Sequence, residues 1–171
     1  MKLRRSNGFT LVELMVTIAV VAILGTIAFP SFQSTIRSNR IASAGNEMTG
    51  LLSLARSEAV RNKRGGGVCG SSDGSSCDGA WRSGMLAWAD VDGNGSKGAN
   101  EVVLRFVAVT SDSVTVTGPA AEVAFDARGR RRAAATQQIT LQPVKCGSDP
   151  QRRTLSVNAA GQITSTKAAC Q

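Results

Sequence analysis

Residues Phe9–Phe29, FTLVELMVTIAVVAILGTIAF, form a run of 21 positions with a single charge, Glu13, and no other stretch restricts the chain so strongly. A helix of that length, at about 1.5 Å per residue, covers roughly the 30 Å of a bilayer core. A short basic stretch, Met1–Gly8, stands before it with Lys2, Arg4 and Arg5. A carboxylate inside a membrane helix costs on the order of 2.5–3.5 kcal/mol. Glu13 therefore calls for a partner or a task.

Three schemes accommodate this start. The run could be an uncleaved signal anchor with an incidental Glu, or a secretory signal peptide removed after the run. Against the second, Thr26-Ile27-Ala28 is a poor small-x-small cleavage site and the apolar run exceeds a usual h-region. The third scheme cuts before the run, between Gly8 and Phe9. The residues G-FTLVEL resemble the class III signal of type IV pilins and type II secretion pseudopilins. Gly8 stands at the last leader position, Phe9 becomes the first residue of the mature chain, Glu13 its fifth, and Pro30 follows the run. The third scheme is adopted. The resemblance implies cleavage at Gly8 by a prepilin peptidase and N-methylation of Phe9. It also implies that Glu13 meets the Phe9 amine of a neighbouring subunit, a pairing that makes a buried charge tolerable. Pro30, lacking an N–H and crowding the preceding turn, is expected to kink the helix. The expected partners are other pilins or pseudopilins and an inner-membrane assembly platform. The expected location is a single-pass inner-membrane protein with a periplasmic C-terminal domain, present in a pilus or pseudopilus filament.

The expected segments are a leader over 1–8, a membrane helix over 9–30, an amphipathic helix over 31–64 and a β domain over 65–171. In the amphipathic part Phe32, Ile36, Ala44, Met48, Leu51, Leu52, Ala55 and Ala59 recur mostly three or four apart, giving one apolar stripe for core packing. Arg61, Lys63 and Arg64 suit the negative end of the helix dipole, and Gly65-Gly66-Gly67 reads as the stop. Beyond Val68 short apolar runs alternate with turn residues. Strands are expected at Met85–Ala89, Val102–Val109, Ser113–Thr117, Glu122–Asp126, Gln138–Val144, Arg153–Asn158 and Gln162–Ser165. Turns are expected at Asp92-Gly93, Gly118-Pro119, Arg128-Gly129, Gly147–Pro150 and Ala160-Gly161. The fold class is α+β: a long N-terminal helix followed by an antiparallel β domain. Trp81 and Trp88 read as core or interface residues.

Four cysteines, Cys69, Cys77, Cys146 and Cys170, are an even number in a chain that reads as exported, where disulfides are the default. Pairing of sequence neighbours is one of three connectivities. A zinc site is disfavoured, because Cys69 and Cys77 are too widely spaced for a ligand pair and the chain has no His.

The helix-then-strands order resembles the GspH/FimT branch of pilin-like proteins. Softer marks of that branch are WADVDGNGSKGANEVVLR, the strand and turn VAFDARG, and the C-terminal cysteine hairpin. FimT members that bind DNA during natural transformation carry G-R-x-R in a C-terminal loop. The equivalent phrase here, SVNAAGQIT, has Gln162 and Thr164 where arginines would stand. Gly129-Arg130-Arg131-Arg132 spells the motif elsewhere, with Arg128 beside it. Either the phosphate-binding charge has moved to this turn or this member binds no DNA.

The formal charge is +8, and the segment from Asp126 to Gln171 is basic, with eight basic and two acidic residues. Asp126 is the only acid near the arginine turn, so its guanidinium groups are expected to stand unpaired and offer planar donors to phosphates. Arg152 and Arg153 are expected to extend the patch. Such contacts give salt-sensitive affinity for double-stranded DNA of any sequence. The alternative is a solvated or protein-facing turn.

Asp90–Glu101 spells the EF-hand calcium loop, with Asp90, Asp92 and Asn94 at positions 1, 3 and 5, Gly95 at 6 and Glu101 at 12. Strands flank it, however, and Asp/Asn/Gly-rich hairpin turns produce the same letters. It is a weak calcium candidate, and no metal or other cofactor is expected. Without His, a Ser–His or Cys–His nucleophile is excluded. Gly65–Gly67 lacks the spelling of a phosphate-binding loop. The expectation is a non-enzymatic subunit: a FimT-like minor pilin in pilus assembly and DNA capture, or a GspH-like pseudopilin of type II secretion.

Overall fold

A computed structural model describes residues 8–109, 113–147 and 151–171, without the side chains of Ile27 and Pro30. The basic leader positions Lys2, Arg4 and Arg5, the Pro30 ring and part of the Gly147–Pro150 turn lie outside the described residues. The chain divides into two compact units, Met1–Ile36 and Arg37–Gln171. Among the described residues there is one helix, α1, assigned over Leu11–Asn62, and it contains the boundary between the two units.

In the first unit Thr10 opens the helix: its hydroxyl accepts the Glu13 N–H at 3.2 Å and its carbonyl accepts the Leu14 N–H at 3.1 Å. From there to Phe32 every apolar side chain described is exposed. Thr17 and Thr26 donate their hydroxyls to the carbonyls of Leu14 and Ile23, at 2.8 and 2.7 Å. Polar groups satisfied within their own turn suit an apolar medium. The helix is long and apolar enough to cross a membrane.

In the second unit, α1 buries Ile41, Met48, Leu51, Leu52, Ala55 and Ala59 against the β domain. Phe32 and Ile36, assigned to this stripe from spacing, are exposed and precede the unit; Ile41 belongs to it instead. Among the described residues eight strands follow: β1 Gly65–Gly70, β2 Gly84–Ala89, β3 Val102–Ala108, β4 Val114–Thr117, β5 Val123–Asp126, β6 Gln137–Pro143, β7 Arg152–Val157 and β8 Ile163–Ala168. They form two antiparallel four-stranded sheets, ordered β3-β2-β1-β5 and β4-β6-β7-β8.

Strand β1 corrects the reading of Gly65–Gly67 as a helix stop. The helix ends at Asn62, whose side-chain oxygen accepts the N–H groups of Arg64 and Gly65 at 2.8 and 3.0 Å, while Lys63 takes the left-handed φ of 58°. The glycines are strand residues because two bodies approach them closely. A Cβ on Gly66 would lie 2.8 Å from the Ala55 carbonyl oxygen, and one on Gly67 would lie 2.8 Å from the Trp88 indole. Gly66 thus admits the helix on one face and Gly67 the tryptophan on the other.

Both faces of β2 are covered. Met85 and Ala87 join the main core with Val68, Phe125, Ile139, Leu141, Leu155 and Val157, while Leu86 and Trp88 form a second cluster with Cys69 and Cys77. Trp81 is also buried and donates its indole N–H to the Pro119 carbonyl at 3.1 Å. Disulfides join Cys69 to Cys77 and Cys146 to Cys170. In the first loop Asp73 accepts the N–H groups of Ser75 and Ser76, which holds its carboxyl far below the usual range.

Candidate functional site

At the chain's start, Gly8 and Phe9 are exposed and precede the helix. Glu13 is exposed in the first helical turn, and among the described residues its carboxylate meets no cation.

The arginine turn joins β5 to β6. Asp126 organises it by donating its N–H to the Arg130 carbonyl at 2.8 Å while its own carbonyl accepts the Gly129 N–H at 2.8 Å. Gly129 takes φ 71°, the left-handed conformation a hairpin of this length requires. The Asp126 carboxylate accepts the backbone N–H groups of Arg128 and Arg130, at 2.8 and 3.0 Å, and both Nε and Nη2 of Arg130, at 3.0 and 2.9 Å. Partial burial acts to raise its pKa, but those donors outweigh burial and the net shift is downward.

The expectation that these arginines stand unpaired is corrected. Arg130 is paired with Asp126. Arg131 is buried and donates to the carbonyls of Ala134 and Ala135. Arg132 reaches Asp90 at 3.2 Å, and also the carbonyls of Arg64 and Gly93 at 3.0 Å each. Asp90 is remote in sequence, and only the fold brings it to Arg132. Arg128 is exposed, and among the described residues its side chain has no hydrogen-bond or ion-pair partner.

Arg152 and Arg153 do not extend this turn, which corrects the expected patch. They begin β7, whose far end leads into the β7–β8 turn, so at least about 13 Å of strand separates them from that turn. Arg153 packs instead near Gly45 of the helix, where an added Cβ would meet its Cδ at 3.2 Å.

The β7–β8 turn does lie against the arginine turn. The Arg131 N–H bonds the Ala159 carbonyl at 3.2 Å. Arg56 of the helix clamps the two, donating to the carbonyls of Gly129 at 2.8 Å and Ala160 at 3.4 Å. Gly161, at φ 75°, sits so close that a Cβ there would collide with the Gly129 carbonyl oxygen. Sequence reasoning missed Arg56, which carries no local signal.

The loop between β2 and β3 is the second polar assembly. Asp90 is fully buried; its Oδ1 accepts the Gly93 N–H at 2.7 Å and its Oδ2 the Gly95 N–H at 2.9 Å. Asp92, Asp90 and Glu101 bring carboxylate oxygens within 4.8 Å of one another. Glu122, half-buried beside them, has its pKa raised by burial, against which the Lys97 N–H bond works.

An apolar N-terminal helix leading into a two-sheet antiparallel domain defines the pilin type of fold. The description "Type II transport protein GspH" matches residues 44–161, and "Prokaryotic N-terminal methylation motif" matches residues 3–29. The chain belongs to the GspH family of type IV pilin-like proteins, whose members are structural subunits. A fimbrial protein of Pseudomonas aeruginosa is 33% identical over 61 residues, covering 36% of this chain and 40% of that one. The type IV major fimbrial protein FimA of Dichelobacter nodosus is 35% identical over 63 residues, covering 37% and 40%. The match thus spans about two fifths of those relatives' length. The crystal structure of the type IV minor pilin FimU of Pseudomonas aeruginosa superposes with a TM-score of 0.56 at 23% identity, covering 74% of this chain and 87% of that one. A second crystal form of FimU gives 0.55 at 22%, covering 73% and 91%.

Proposed function

We propose that this chain is a minor pilin of a type IV pilus, cleaved by a prepilin peptidase between Gly8 and Phe9 and N-methylated on Phe9. The assembly platform would then draw it into a filament through the exposed apolar helix, with the β domain periplasmic beforehand. Glu13, with no cation near it among the described residues, is available to the Phe9 amine of a neighbouring subunit. Mass spectrometry of the processed chain tests the cut. A mature protein beginning at Met1 in a host with prepilin peptidase would overturn it. Glu13→Gln should keep the cut and the fold yet lose incorporation into filaments.

DNA capture is the finer part of the reading, and one observation carries it. The β7–β8 turn, where the resemblance places G-R-x-R, abuts the arginine turn, with Gly161 against Gly129 and Arg56 across both. Charge missing from the first turn is thereby supplied within the same region by Arg128, Arg130 and Arg56. A gel shift on the compact unit from Arg37 onward, across a salt series, tests this. Only Arg128 and Arg130 should be replaced by Ala, since Arg131 and Arg132 hold the local backbone. Loss of the Arg128 and Arg130 guanidinium groups should lower the salt slope by at least about 0.9, the share of Arg128, which is unpaired among the described residues. No binding at low salt would favour a GspH-like pseudopilin of type II secretion, the reading supported by the family description over residues 44–161.

A further inference from the structure

We propose that the carboxylates of Asp90, Asp92 and Glu101 form a calcium site on the connection between β2 and β3. The three groups bring oxygens within 4.8 Å of one another. Oxygens about 2.4 Å from a shared calcium ion lie at most about 4.8 Å apart, and these three meet that condition. Magnesium, at about 2.0–2.1 Å, requires a tighter cluster.

A cluster of acids can simply be a solvated turn, but two of these three carboxylates are buried. Asp90 is fully buried and Glu101 is 5% exposed. Glu101 Oε2 accepts the Gly98 N–H at 2.5 Å, while its Oε1 is buried with no hydrogen-bond partner. A buried carboxylate oxygen left without a donor is costly, and a cation supplies what the protein does not. Arg132 is the one side-chain cation bonded to the three carboxylates among the described residues. It touches Asp90 alone and divides the same nitrogen between two carbonyls. Lys97 turns its ammonium to the Gly98 carbonyl at 2.6 Å. Among the described residues, then, one of the three carboxylates has a guanidinium partner and the other two have no side-chain cation bonded to them.

The donor set is oxygen only, and both cysteines nearest in sequence are joined in a disulfide, so a hard cation fits. Asn94 is a further ligand position in the sequence pattern. Its side-chain oxygen accepts the Ser96 N–H at 2.7 Å and its amide donates to Asp92 at 2.7 Å. The site is independent of the arginine turn's affinity for DNA, although Arg132 borders both.

The test uses the full chain in detergent, stripped with a chelator and titrated calorimetrically with calcium chloride, then with magnesium chloride. One calcium per chain, bound at least about tenfold more tightly than magnesium, is expected. Asp92 is exposed, so Asp92→Ala should keep the fold while weakening calcium at least tenfold. Glu101→Gln should do the same if it folds. Arg132→Gln removes the competing guanidinium and, where the loop keeps its fold, should tighten calcium binding severalfold. A folded protein without calcium heat up to about 10 mM, well beyond the weakest extracellular sites, would overturn the proposal. So would calcium binding that Asp92→Ala leaves unchanged.

Discussion

The two parts of α1 share a secondary structure and differ in the medium each requires. Between Phe9 and Phe32 the described apolar side chains are exposed all round, so this part has no single face to bury. Between Arg37 and Asn62 one apolar stripe, Ile41, Met48, Leu51, Leu52, Ala55 and Ala59, is buried by the unit's own strands, while Leu54 and Val60 lie off it and are exposed. Backbone hydrogen bonding is indifferent to this contrast. Only the distribution of side chains around the axis sets it: a helix apolar on every side needs lipid or neighbouring helices, and a striped one needs a sheet.

Large-to-small changes should separate the two parts most sharply. Leu52→Ala empties a fully buried site and should cost about 2–5 kcal/mol in chemical denaturation of the β domain. Leu14→Ala, at a side chain 56% exposed, should leave the same transition within about 0.5 kcal/mol. An equal loss for both would break the contrast.

A smaller effect is expected where the sheet presses on Trp88. Gly67→Ala would force the indole aside and should destabilise by about 1–3 kcal/mol, with a shift in tryptophan fluorescence. Gly25→Ala, in the first part of α1 with open space around it, should not destabilise the β domain.

At the helix end the sign reverses. Lys63 holds a left-handed φ, so Lys63→Gly should stabilise by roughly 0.5–1 kcal/mol, read as a rise in urea midpoint.

The pH dependence of the β domain should be the mildest effect. Asp73, Asp78 and Asp126 have depressed pKa values in the fold, held by hydrogen bonds for the first two and by donors that outweigh burial for Asp126. Their contribution is complete above the unfolded pKa of about 3.9 and is lost as pH falls through the folded values. Glu122 acts in the opposite sense. Its raised pKa means that ionisation penalises the fold, so stability should rise as pH falls through its folded value towards about 4.3. Urea midpoints against pH should show that rise, and Glu122→Gln should remove it.

Much of the fold was legible because helix and strand signals are local. The apolar run, the three-and-four spacing from Ala44 to Ala59 and the alternation in Val114–Thr117 and Gln137–Pro143 each occupy a short window. Strand β1 was not legible. GGGVCG resembles punctuation, and its glycines make sense only beside Ala55 and Trp88. The arginine turn misled for a related reason, since the partner of Arg132 is Asp90, 42 positions away.

The order of helix and strands, the membrane-length run and the turn between Asp126 and Arg130 were therefore determined by sequence alone, because each depends on neighbours along the chain. Tertiary structure alone decided that Gly161 meets Gly129, that Arg56 joins their turns, and that Glu101 and Asp90 are buried with carboxylate oxygens within 4.8 Å of each other. Those outcomes depend on distances between residues from about ten to more than a hundred positions apart. Such distances are set by how the two sheets and the helix pack, and no local pattern of side chains encodes them.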